Sequence, residues 1–164
     1  MSKVQNSAFL VNQQLNFAQT HIGLMQSDLP ANQRNAIKQA CAWQLCSALT
    51  LFFIERFIVE SPVPLYACVD ALNGQDINND ICVNNLKQCA SDMQSPLNAL
   101  CSLQTSLYDK HTSAFLTEPE DTQIIALSSA PKYHWIQQDA DFYTHLYTWL
   151  ADFVRTHREQ TQQW

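Results

Sequence analysis

Residues 40–54 read ACAWQLCSALTLFFI, a stretch without a charged side chain whose polarity is confined to Gln44, Ser47 and Thr50. Apolar side chains fall on almost every side of a 3.6-residue period, as in a helix enclosed by other helices. A membrane span asks for ~20 mostly apolar residues, and here Glu55 and Arg56 follow at once. The stretch is therefore read as the core helix of a bundle, with no membrane association expected. Upstream, Ser27-Asp28 before Pro30 forms a start signal, and Pro62 and Pro64 form the stop. A helix over residues 31–60 would be about 45 Å long.

The sequence before it repeats in heptads. Val4, Ala8, Val11, Leu15, Ala18, Ile22 and Met25 alternate at spacings of four and three, the seam of a helix packed lengthwise on a partner. A helix is expected over residues 2–26, and a second row, Leu10, Phe17 and Leu24, points to a second neighbour. After the prolines, PLYACVDALNG fits a short helix closed by Gly74. Asp76 is expected to cap a helix reaching Met93, with Cys82, Leu86, Cys89 and Met93 as its apolar stripe. Ser95-Pro96 opens another helix through Leu107. From 111 to 138 the helical period lapses, and TQIIALSS and KYHWIQQ read as short extended segments. Asp139 caps a last helix to about Glu159, with Phe142, Leu146, Trp149, Leu150, Phe153 and Val154 on one side. The expected architecture is all-α: one helical-bundle domain over residues 1–164, with five to six helices around the long second one.

Composition narrows the function classes. The 164 residues include only Gly23 and Gly74 as glycines, which disfavours phosphate-cradling loops and dinucleotide-binding turns. Net charge is −6, and the nine Lys and Arg residues are scattered. Nucleic-acid binding is not expected, because its affinity comes from clustered cations. Eighteen Gln and eleven Asn carry much of the surface polarity. Near the start, the apolar run 8–11 is shorter than the ~7–15 residues of a secretory signal. A cytoplasmic location and reduced, mostly buried thiols at Cys41, Cys46, Cys68, Cys82, Cys89 and Cys101 are therefore expected.

The amide-rich first helix, the long alanine- and aromatic-rich second helix and the Arg-containing close at 155–164 resemble a family of uncharacterised helical proteins from gammaproteobacteria. The resemblance implies a cytoplasmic helical domain of unknown activity and nothing about catalysis.

Two constellations carry possible chemistry. Asp141, His145 and Asp152 fall within an arc of about 40° on the last helix. A histidine with two carboxylates is a donor set for a divalent metal, whereas Arg155 and Glu159 beside them suit a solvated face. The aromatics Tyr133, Trp135, Tyr143 and Tyr147 are candidates for a partner surface, since Tyr and Trp combine apolar area with a polar tip. There is no Glu-x-x-His, Cys-x-x-Cys or Gly-x-Ser-x-Gly in the chain, and no cofactor is expected. The leading expectation is a non-enzymatic interaction or scaffold protein meeting a protein partner or a second copy. A bundle that binds a small ligand or metal, with hydrolytic activity in reserve, is the alternative.

Overall fold

Two long helices joined by a tight turn frame the computed structural model, which describes residues 3–57, 65, 80–108 and 132–162. α1 (Lys3–Met25) runs against α2 (Ala31–Phe57). The heptad seam lies between them: Val11, Leu15, Ala18, Ile22 and Met25 are buried. The methyl of Ala18 lets α2 come close enough for the Cys41 thiol to reach the Ala18 carbonyl at 3.7 Å.

α3 (Ile81–Ser91), α4 (Pro96–Tyr108) and α5 (Ala140–Gln162) complete the five α-helices among the described residues, which contain no strand. The bundle is all-α. α2 packs against α1, α4 and α5, and its Cys41, Leu45, Leu49, Phe52 and Phe53 are buried. Burying one such phenylalanine contributes ~1.5–3 kcal/mol. Phe52 meets Phe153 of α5 edge to face, with ring centroids 5.8 Å apart. α2 is long and apolar enough to cross a membrane by length and composition. Here 44% of that apolar window is buried inside the bundle.

The helix starts follow their capping chemistry. Asn98 N–H donates to Ser95 Oγ at 3.3 Å ahead of α4, and Phe142 N–H to Asp139 Oδ1 at 2.9 Å ahead of α5. α3 departs from expectation. Its cap is Asp80, whose Oδ1 accepts from the N–H groups of Cys82 and Val83 at 2.8 and 3.2 Å. The helix stops at Ser91, where Asp92 turns the chain and accepts from Gln94 N–H at 2.9 Å. The apolar stripe therefore ends early: Cys82 and Leu86 are buried, and Met93 beyond the helix is 70% exposed.

KYHWIQQ is not extended. Residues 135–137 form a 3-10 turn, begun by His134 Nδ1 accepting from Ile136 N–H and closed by Gln137 N–H on the His134 carbonyl. Local side-chain capping replaces the ladder that an extended segment would need. The expected short helix ending at Gly74, the segment TQIIALSS, Asp76 and Cys68 lie outside the described residues.

Candidate functional site: a groove between three helices

Glu55 and Arg56 close α2 with ion pairs. Arg158 of α5 donates through Nε to Glu55 Oε1 at 2.9 Å and through Nη2 to Oε2 at 2.7 Å. It also reaches Asn12 Oδ1 and the Ala8 carbonyl of α1. Arg56 pairs with Asp80 at 2.8 Å. Both charges are spent on holding helices together, as pairing demands of half-buried ions.

The aromatic surface expected from the sequence lies mostly inside the bundle. Trp135 is 1% and Tyr143 0% exposed, and the Tyr143 hydroxyl donates to the Trp135 carbonyl at 2.9 Å. Burial pushes the Tyr143 phenol well above its usual range. Tyr133 and Tyr147 are half-buried and packed on the core. Tyr133 stacks on Phe142, with centroids 5.5 Å apart. Trp135 and Tyr143 have no surface to offer a partner. The 3-10 turn folds Trp135 inward, and Tyr143 extends the buried side of α5.

The row Asp141, His145 and Asp152 shares a side of α5, and all three are exposed. It does not make one site. Eleven residues separate Asp141 from Asp152, a rise of ~16 Å, while a metal needs its donors within ~2.0–2.2 Å. Asp152 pairs instead with Arg155 at 2.7 Å. Among the described residues no cluster of three potential metal ligands occurs.

Exposed apolar residues lie on other elements. The second row of α1 keeps Phe17 and Leu24 in solvent at 45% and 43% exposure, because α5 meets α1 on its other flank, at Ala8 and Asn12. Gln14, on the same flank as Phe17, edges a groove of about 410 Å³ between α1, α2 and α4. Its apolar wall comes from Trp43, Leu51 and Ile54 of α2 with Leu107 and Tyr108 of α4. Trp43 and Tyr108 meet edge to face at 5.9 Å and are 48% and 62% exposed.

The polar groups of the groove are largely turned to structural use. Thr50 Oγ1 donates to the Cys46 carbonyl at 2.9 Å, and Gln104 Oε1 accepts from Leu65 N–H at 2.6 Å. The Cys46 thiol reaches the Leu100 carbonyl at 3.5 Å, and burial pushes its pKa far up, so it is a poor nucleophile. Among the described residues no lining side chain is charged. The described lining can enclose apolar groups.

Sequence reading missed this groove because it joins residues some ninety positions apart, from Gln14 to Tyr108. The local signal was Trp43, the indole of a helix whose other aromatic side chains are phenylalanines. No family model, curated protein or solved structure matches the chain.

Proposed function

We propose that this chain is a non-enzymatic interaction protein whose groove between α1, α2 and α4 receives apolar side chains of a protein partner. One observation carries the reading: Trp43 and Tyr108 stand half out of the fold around a cleft whose described lining holds no charged side chain. Tyr and Trp beside a desolvated pocket are the residue types that dominate binding energy at protein interfaces. An exposed indole in a folded chain has little to contribute to stability, so its apolar area is available to association. The cytoplasm is the compartment that suits an acidic bundle with buried thiols.

A small apolar ligand is the second reading, favoured by a volume within the ~300–1,000 Å³ of ligand pockets. One experiment separates the two. A photo-reactive benzoylphenylalanine replaces Tyr108, and the full chain is irradiated in extract, with the same residue at Thr148 of α5 as a control. A discrete protein-sized adduct from position 108 alone supports the partner reading, and an adduct of a few hundred daltons supports the ligand. Equal labelling from both positions contradicts both.

A further inference from the structure

Gln104, 9% exposed, lines the groove with one end of its amide already fixed. Its Oε1 accepts from Leu65 N–H at 2.6 Å, which leaves Nε2 as the end still able to donate. Among the described residues nothing accepts from that nitrogen. It is not sealed in either, since the buried polar atoms that lack a partner are others, at His21, Gln44, Arg56 and Trp135. A donor held in place by Leu65 is thus offered to whatever fills the groove.

The helix segments around the groove set the charge of that occupant. Residues 4–25, 39–54 and 96–108 contain no Asp, Glu, Lys or Arg, although the chain holds nine basic and fifteen acidic residues. A charged side chain entering here would lose its water with no opposite charge among the described lining residues. The matching surface is therefore apolar, with a neutral oxygen for Gln104.

α1 carries such a surface itself. Phe17 and Leu24, 45% and 43% exposed, lie seven residues apart on one side of the helix. Gln13, one turn before Phe17, adds a neutral amide on that side. His21 is half-buried, and burial lowers its pKa from the ordinary 6.5, so the segment is uncharged at pH 7. Phe17 is three residues from Gln14, which edges the groove, so flank and groove adjoin on each copy. One two-fold contact would then fill two grooves and cover two flanks, because an isologous interface makes every contact twice. Two chains of net charge −6 would meet through segments that carry no charge. At ~150–250 Å² per aromatic side chain, the exposed shares of Phe17, Trp43 and Tyr108 come to roughly 300 Å² per copy. That is over a third of the ~800 Å² that a stable interface buries on each partner.

Resting on the reading of the groove as a protein-binding site, we propose that its occupant is a second copy of this chain: the α1 flank of Gln13, Phe17 and Leu24 lies across Trp43 and Tyr108, and Gln104 Nε2 donates to the Gln13 amide oxygen.

The test uses the purified full chain. Sedimentation equilibrium from about 1 to 100 µM should show a species of twice the 18.7 kDa of one chain. With benzoylphenylalanine in place of Tyr108, irradiation of the pure protein should give an adduct of that doubled mass, and its linked peptide should map to residues 13–24. Phe17→Glu, at an exposed position, puts a carboxylate into each groove and should weaken the dimer by on the order of a hundredfold. Leu24→Glu, also exposed, replaces it should the first variant fold poorly, and the mapped adduct decides if both do. The proposal is overturned by a monomer throughout the range, by adducts mapping outside residues 13–24, or by a folded glutamate variant that dimerises like the parent. A pure monomer that position 108 links to a different protein in extract overturns the second copy and leaves the groove as a protein site. No adduct in either setting removes both.

Discussion

Arg158 and Glu55 stand 103 residues apart in the chain, yet the guanidinium lies on the carboxylate through two bonds of 2.9 and 2.7 Å. Two parallel N–H donors on one carboxylate make a rigid link. With the further bonds to Asn12 and the Ala8 carbonyl, a single side chain ties α5 to α2 and α1. Arg158→Met should destabilise the chain by about 1–3 kcal/mol, chiefly because Glu55, with its side chain 12% exposed, is left without its partner. Replacing both residues, Arg158→Met with Glu55→Leu, should recover most of the loss. Urea denaturation of the two variants measures the difference.

Tyr143→Phe distinguishes a core tyrosine from a surface one. Removing the hydroxyl leaves the Trp135 carbonyl without its 2.9 Å donor and should cost about 1 kcal/mol. A tyrosine serving only a partner would show no change in the isolated chain. Thermal melting reads the outcome.

Thiol reactivity should follow burial. Cys41 and Cys82 are pushed up to about 12 by burial, Cys82 with help from the Asp80 carboxylate, and Cys46 is pushed higher still. Iodoacetamide at pH 8 should leave these three unmodified in the native protein and label them once it is unfolded, because the thiolate is the reacting form. Mass spectrometry of the alkylated peptides checks this. Stoichiometric bridges among them would contradict the reduced state expected of the chain.

His145→Ala should shift stability by less than about 0.5 kcal/mol, the same with or without added Zn²⁺. His145 is exposed, and its row is too long for one ion. A loss of several degrees in melting temperature only when zinc is present would restore the metal site.

What was legible in the sequence is what repeats locally. The α1 seam, the uncharged centre of α2 and the caps at Ser95 and Asp139 each depend on neighbours within a turn or two, and each stands in the structure. The metal row failed because angular position around a helix was counted without axial rise. Two of the aromatic candidates, Trp135 and Tyr143, are buried, and burial of Trp135 depends on how the 3-10 turn folds back, which no local period records. The burial of His157 was missed although it continues the series Tyr143, Leu146, Leu150 and Phe153 at spacings of three and four. That spacing marks it as a buried position. Asn85, whose amide lies 3.4 Å from its ring, comes from another helix, so only the fold brings the two together.

The most direct measurement pairs folding with capture in one variant, Trp43→Ser. At 48% exposure, Trp43 should be dispensable for the fold, with stability changing by less than about 1 kcal/mol. The adduct formed by benzoylphenylalanine at position 108 should fall about tenfold or more in the same variant, since an anchoring indole at an interface carries upwards of ~1.4 kcal/mol. An undiminished adduct, or a loss of several kcal/mol in stability as for a core aromatic, would contradict the groove as the place where this chain meets its partner.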